Sequence, residues 1–202
     1  MLGQRLATLK LVDAVVLALP RGGVPVAAEV ARALHAPLDL LMVRKIGAPG
    51  QRELAVAAVV DGGHPEIVVD EENLRLSGAD RAYVNAEAEH ALKEMERRRA
   101  LYMRGRAPVG LTAKSVVLVD DGIATGTTVR AALKALQRCK AARLVLAVPV
   151  APADAVAQLR AKVDDLVCLS QPAFFHAVGL HYRDFHQIGD DEVIALLDAA
   201  RR

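Results

Sequence analysis

Short uninterrupted apolar runs alternate along this chain with segments whose apolar residues recur every three or four positions. The runs lie at 14–19 (AVVLAL), 38–43 (LDLLMV), 115–119 (SVVLV), 143–148 (RLVLAV) and 163–169 (VDDLVCL). A run of this length without strict polar alternation describes a strand covered on both faces. After the first run, Val26, Val30, Ala33 and Leu34 keep helical spacing behind Pro25, a residue the first turn of a helix tolerates, and Ala36-Pro37 ends the pattern. Val129, Ala132, Leu133 and Leu136 predict a second helix from Thr125 onward, and a third is expected over 153–161. Strands and helices in alternation predict an α/β fold, a mostly parallel sheet flanked by helices.

The stretch between the second and third runs breaks this rhythm. Residues 44–51 read as a Gly/Pro-containing loop with two positive charges, Arg44 and Lys45. Residues 54–60 and 66–69 read as a hairpin around Asp61-Gly62-Gly63-His64-Pro65. Ser77 with Asp80 three residues on resembles a capping box, and a long helix is expected from there to Met103. Its apolar line is Ala88, Ala91, Leu92, Met95 and Tyr102, and Glu89/Lys93 and Glu94/Arg98 supply i,i+4 pairs. The chain therefore reads as one domain, 1–202, with a helical insertion over 61–114 and a small C-terminal hood over 170–202. Arg97, Arg98, Arg99, Arg104 and Arg106 cluster at the end of the insertion, where a solvated helix face is the favoured reading over a ligand-facing one. A final helix opens on Asp190-Asp191-Glu192 and ends in Arg201-Arg202, charges matched to the two ends of the helix dipole.

Composition narrows the functions. At 202 residues, with 53% hydrophobic and 25% charged residues, the chain can bury a full core and is not disordered. Lys+Arg number 26 against 24 Asp+Glu, a net +2, too balanced for binding nucleic acid by bulk charge. Aromatic residues are 3% and Trp is absent, which argues against a platform for stacked single strands. No apolar run approaches the roughly 18 residues of a membrane span. The apolar stretch 11–19 is interrupted by Asp13 and ends on Pro20-Arg21-Gly22-Gly23 with no small-residue cleavage site, so it reads as a strand rather than a signal peptide. Cys139 and Cys168 match no metal or disulfide spacing and are expected as core thiols in a reducing, cytoplasmic setting.

The strongest chemical signal is 116–128, VVLVDDGIATGTT. A buried strand delivers Asp120 and Asp121 to its C-terminal edge, where open α/β sheets bind ligands. The turn Gly122-Ile123-Ala124-Thr125-Gly126-Thr127-Thr128 is built of small and hydroxyl residues, and it enters a helix N-terminus suited to a phosphate. Paired acids beside a phosphate cradle repel, unless they grip sugar hydroxyls with a divalent cation shared nearby. The segment resembles the phosphoribosyl-diphosphate (PRPP) binding motif of type I phosphoribosyltransferases, in which four apolar residues and two acids precede a small loop ending in Thr-Gly-x-Thr. It is no P-loop, since no Lys follows Gly126.

That resemblance implies further roles. Leu19-Pro20-Arg21-Gly22-Gly23-Val24 occupies the place of the family's pyrophosphate loop, which often contains an unusual peptide geometry. There Arg21 would supply a forked donor, and Gly22 and Gly23 would permit close approach. Arg44 or Lys45 stands where the family places a cation for the departing pyrophosphate, and Arg21 and Lys45 are the candidate catalytic residues. Enzymes of 6-oxopurines usually carry an Asp where this chain has Ala124, which implies poor use of hypoxanthine and guanine. The segments ALPRGGVPVAAEVA, VRKIGAPGQRELA, VVLVDDGIATGTTVRAAL and FFHAVGLHYRDFHQIGDDEV extend the likeness to bacterial phosphoribosyltransferases of unknown acceptor. Phe174, Phe175 and Tyr182 then become a hood over an acceptor base, although a packed subdomain with surface histidines is the plainer reading. The spacing of His176, His181 and His186 does not fit a helical zinc pair. The implied protein is a Mg²⁺-dependent transferase of the 5-phosphoribosyl group from PRPP to a nitrogenous base, working as a homodimer, with Asp120 and Asp121 meeting the metal through the substrate. A PRPP- or nucleotide-sensing regulator and a phosphoribosyl hydrolase are the alternatives.

Overall fold

The computed structural model describes residues 1–61 and 65–200. Gly62, Gly63 and His64 of the expected hairpin turn, and the terminal Arg201-Arg202 pair, lie outside the described residues. Helix α1 (Leu2–Ala7) precedes strand β1 (Ala14–Ala18), helix α2 (Gly23–Leu34) and the short β2 (Leu38–Leu40). The chain then leaves the main sheet for an antiparallel one of β3 (Met42–Ala48), β4 (Gln51–Asp61) and β5 (Glu66–Val69). Helices α3 (Glu71–Ser77) and α4 (Arg81–Met103) lead back to β6 (Ser115–Val119), followed by α5 (Thr127–Leu136), β7 (Arg143–Val150), α6 (Ala153–Arg160), β8 (Asp165–Ser170) and α7 (Asp190–Ala199). The main sheet runs β2-β1-β6-β7-β8 and every pair in it is parallel, as the apolar runs predict.

Strand order fixes where a ligand can sit. From β1 the chain crosses to β2 on one side, and from β6 it crosses to β7 on the other, while β1 and β6 are neighbours. Their outgoing loops therefore diverge and open a crevice at the carboxyl ends of the strands. Alternate residues of these strands enter two cores. Val16, Ala18, Val117 and Val119 pack with α2 and α4, whereas Val15, Leu17, Val116 and Leu118 pack with α5 and α6. Each strand is covered on both faces, which is why its sequence shows no polar alternation.

Three expectations need correcting. The run 38–43 is not one strand: Leu41 ends the parallel pairing, and Met42 begins the antiparallel sheet. Leu41 and Met42 are buried in different cores, so the apolar run continues through the change of sheet. Residues 44–48 are not a loop. They continue β3, and only Pro49-Gly50 turns, with Gly50 at φ +74. Finally, Ser77 does not start the long helix. It closes α3, donating its hydroxyl to the Leu74 carbonyl at 2.9 Å, and Gly78 follows in the left-handed conformation. Asp80 caps α4 by accepting from the Tyr83 N–H at 2.8 Å. The helix buries Val84, Ala88, Ala91, Met95, Tyr102 and Met103, with Leu92 only half-buried. Among the described residues no helix is long and apolar enough to cross a membrane. Cys139 and Cys168 are half-buried, with burial raising the pKa of both thiols.

Candidate active site

The loops after β1 and β6 are pressed together. A peptide in the cis form joins Pro20 to Arg21, in the loop for which the resemblance implied unusual geometry. A Cβ built on Gly22 would overlap Asp121 Oδ2 and lie 2.8 Å from Asp121 Cγ. One built on Gly23 would lie 2.9 Å from the Val119 carbonyl oxygen and 3.0 Å from Asp120 Cα. Gly22 has the ordinary helical φ of −57°, so what selects glycine there is space, not backbone freedom. The Leu19 N–H donates to the Val119 carbonyl at 3.0 Å and the Gly23 N–H to the Leu19 carbonyl at 3.0 Å, which ties this loop to the acidic strand end.

Asp120 and Asp121 are half-buried at that junction. Burial, and the charge of Asp121 beside it, push the Asp120 carboxyl well above the usual carboxylate range; burial also raises Asp121. Asp120 Oδ1 accepts the Asp121 N–H at 3.0 Å. The pair is thus a concentrated negative site that a cation or sugar hydroxyls would relieve. Among the described residues no group of three or more His, Cys, Asp or Glu could hold a metal ion. Two carboxylates alone suit a Mg²⁺ ion that keeps waters and arrives with substrate oxygens.

Next to the acids the loop 122–126 turns into α5. Gly122 and Ile123 are buried: the Ile123 N–H donates to the Val150 carbonyl at 3.0 Å. Gly126 sits at φ +73 before the first turn of the helix. Among the described residues no protein acceptor pairs with the N–H groups from Ala124 to Val129. Donors fanned out at a helix N-terminus make an anion cradle. The hydroxyls of Thr125 and Thr127 lie 3.2 Å apart, and Arg130, one turn along α5, donates to Thr127 Oγ1 at 3.2 Å. Sequence reasoning missed Arg130, although its i+3 spacing from Thr127 signals a shared face.

Two cavities flank this loop. A cleft of about 780 Å³ between β4, β5 and α5 takes in Thr125, Thr127, Arg130 and Lys45. A smaller one, about 370 Å³, is lined by Pro20, Arg21, Arg44, Lys45, Arg98 and Thr128 among others. Lys45 borders both. Arg44 and Lys45 are exposed on β3, opposite Val59 and Ala58. Arg21 pairs with Asp190 at 3.3 Å, and Asp190 accepts the Tyr102 hydroxyl at 2.6 Å. These two partners hold Asp190 below its ordinary pKa, while burial and the Asp190 bond push Tyr102 up to about 12. The sequence presents Asp190 only as a charge on a helix dipole, because nothing in it places residue 190 beside residue 21.

The hood residues take three different positions. Phe174 is 85% exposed, Phe175 stacks on His181 with centroids 5.4 Å apart, and Tyr182 donates its hydroxyl to the Asp121 carbonyl at 2.5 Å. A Cβ on Gly122 would lie 2.7 Å from Val178, so the hood rests directly on the acidic loop. His176, His181 and His186 are exposed.

On the PRPP reading that the resemblance implies, replacing Arg21 or Lys45 by Ala should lower turnover about ten- to hundredfold, the range lost with a charge-assisted bond. Stability should hold to within about 1 kcal/mol, since the one ion pair broken is partly exposed. Parallel losses of activity and melting temperature would mark either residue as structural.

Comparison with known proteins agrees with this geometry. The family model for the phosphoribosyl transferase domain matches residues 1–184. Two curated Mycobacterium tuberculosis proteins, of strains CDC 1551 and H37Rv, each bear the name "Putative phosphoribosyl transferase". Both are 48% identical over 201 residues, covering 100% of this chain and 45% of their own length. The chain thus spans about half the length of these curated relatives. A crystal structure of TT1426 from Thermus thermophilus superposes with a TM-score of 0.84 at 45% identity, covering 97% of this chain and 92% of that one. With the crevice between β1 and β6, its two interlocked loops and a family match over most of its length, the chain belongs to the phosphoribosyl transferase domain family.

Proposed function

We propose that the chain transfers the 5-phosphoribosyl group of PRPP to a nitrogenous acceptor and releases pyrophosphate. The observation that carries this is the clasp of Gly22 and Gly23 against Asp120 and Asp121, beside a loop of unpaired amides at the N-terminus of α5. One end of the crevice offers donors to a 5-phosphate, the centre offers carboxylates to ribose hydroxyls, and the cavity with Arg21, Arg44 and Lys45 offers charge to a pyrophosphate.

In the reaction the bond from ribose C1 to the pyrophosphate oxygen breaks and its electron pair leaves with pyrophosphate. The acceptor nitrogen donates its lone pair to C1 and loses its proton to solvent or a base. C1 becomes oxocarbenium-like as the leaving group departs, by analogy with glycoside cleavage. This chain's residues hold the ring and receive charge on the leaving group; they form no covalent bond of their own. Asp120 and Asp121 would meet a Mg²⁺ ion brought with PRPP, and the chemistry that ion supplies is neutralisation of the pyrophosphate. On the same reading the protein works in the cytoplasm as a homodimer.

Pyrophosphate release from PRPP and Mg²⁺, screened across purine, pyrimidine and pyridine bases, tests the proposal. Release that depends on one base supports transfer. Release without a base indicates a hydrolase, and binding without release indicates a sensor. Because the chain has the exposed Ala124 where the family resemblance places the Asp of 6-oxopurine enzymes, hypoxanthine and guanine should be poor acceptors. Efficient turnover of either would refute that expectation.

A further inference from the structure

Three consecutive arginines near the end of α4 part company. Successive residues of a helix project about 100° apart. Arg97 points to solvent, with its side chain 62% exposed and paired to Glu94 at 2.8 Å. Arg99 is half-buried against Asp39 at 3.2 Å and Asp61 at 3.7 Å, and also donates to the Leu40 carbonyl, so it anchors the insertion to the edge of the main sheet. Arg98 lines the cavity that also holds Arg21, Arg44 and Lys45. The expectation of a solvated face thus fails for Arg99, while Arg98, its side chain 42% exposed, meets both solvent and the cavity.

Glu94, Arg98 and Tyr102 recur at four-residue spacing and all three border this cavity. Arg98 donates Nε to Glu94 Oε1 at 2.7 Å, which leaves its terminal nitrogens without a protein acceptor among the described residues. Arg98 and Arg21 both line the cavity, and the charge of each is felt at Tyr102 and Asp190. Among the described residues the cavity lining carries one carboxylate, Glu94, against the four cations Arg21, Arg44, Lys45 and Arg98, and Arg21 is paired with Asp190 beside it. Its pairing with Arg97 and Arg98 keeps Glu94 ionised, down to a pKa of about 2. That excess of positive charge fits a ligand with two linked phosphates.

We infer that Arg98, delivered by the inserted helix, is a binding residue for the pyrophosphate group, and that Glu94 orients its guanidinium toward the cavity. This rests on the phosphoribosyl transfer reading and deepens it. The insertion thereby acquires a role, since one wall of the pyrophosphate subsite comes from α4, outside the loops that follow the parallel strands.

Calorimetric titrations with inorganic pyrophosphate and with ribose 5-phosphate, both with Mg²⁺ present, test the inference on the whole chain. Arg98→Ala should weaken pyrophosphate about ten- to hundredfold and leave ribose 5-phosphate within about twofold. Arg98→Lys, which keeps the charge and loses the fork, should fall between, and serves if the Ala variant folds poorly. Arg97→Ala, which removes the other partner of the same acid, should leave both ligands unchanged. Wild-type pyrophosphate affinity in Arg98→Ala, or equal loss for both ligands, would overturn the assignment of Arg98 alone. A wild-type chain that binds neither ligand would overturn the phosphoribosyl reading and this inference with it.

Discussion

Asp120→Asn and Asp121→Asn are each expected to make the ligand-free protein harder to melt while weakening PRPP about ten- to hundredfold. The two effects share a cause. Both carboxyls are held above their ordinary value of 3.8, by burial and, at Asp120, by the charge of Asp121. A carboxyl with a raised folded-state pKa binds more protons folded than unfolded as pH climbs past 3.8, so stability falls through that window and stays reduced at neutral pH. Asparagine removes the charge and keeps the oxygen that accepts the Asp121 N–H at 3.0 Å. Melting temperature should therefore rise at pH 7, by about 2–4 °C per kcal/mol relieved. The gain should shrink as pH falls and vanish once the wild-type acids are protonated. The loss of PRPP affinity follows because a charged acceptor toward ribose hydroxyls or a shared cation is gone. Scanning calorimetry between pH 4 and 8 checks the first effect; a variant that melts lower than wild type at pH 7 would mean the acids serve the fold.

Gly23→Ala is expected to reduce PRPP affinity more than about hundredfold and to cost about 1–3 kcal/mol of stability, the range for forcing an extra methyl group into packed structure. The added Cβ would meet main-chain atoms, the Val119 carbonyl oxygen at 2.9 Å and Asp120 Cα at 3.0 Å. No rotamer change relieves a clash with main chain, so the loop after β1 and the acidic end of β6 must separate. Misplacement of a reacting group by about 1 Å can itself cost about 10²-fold. A methyl group at Gly50, which has nothing within 4 Å but a φ of +74, gives the contrast: strain of about 1–2 kcal/mol in a distant turn and unchanged PRPP binding. Equal PRPP affinities in the two variants would contradict the clasp.

What could be read in the sequence, and what could not, follows from the range of the interactions. The parallel strands were legible because burial on both faces writes itself as an unbroken apolar run. The acidic strand end and the Thr-Gly turn were legible because a strand end that turns into a helix is local, contained within 120–128. The antiparallel sheet was half seen. The hairpin of β4 and β5 showed as two apolar runs around a turn, but β3 was hidden, since Gly47 and Pro49-Gly50 punctuate it like a loop while Ile46 and Ala48 are buried. The split between α3 and α4 was missed because Ser77 and Asp80 imitate a capping box that spans the real helix end and the real helix start. The contacts that position the site lie far apart in the chain. Asp190 on Arg21 bridges 169 residues, and the Tyr182 hydroxyl on the Asp121 carbonyl bridges 61. No periodicity reports such pairs; only the topology that folds the hood onto the crevice does.

On the proposed function, the crevice between β1 and β6 binds PRPP through the acid pair. Calorimetric titration of PRPP, with and without Mg²⁺, into the wild-type chain and the Asp120→Asn/Asp121→Asn double variant tests it most directly. One site per chain is expected, tighter with Mg²⁺ than without, and lost in the double variant while its melting temperature stays at or above wild type. No binding to the wild-type chain, or the same affinity in the double variant, would contradict it.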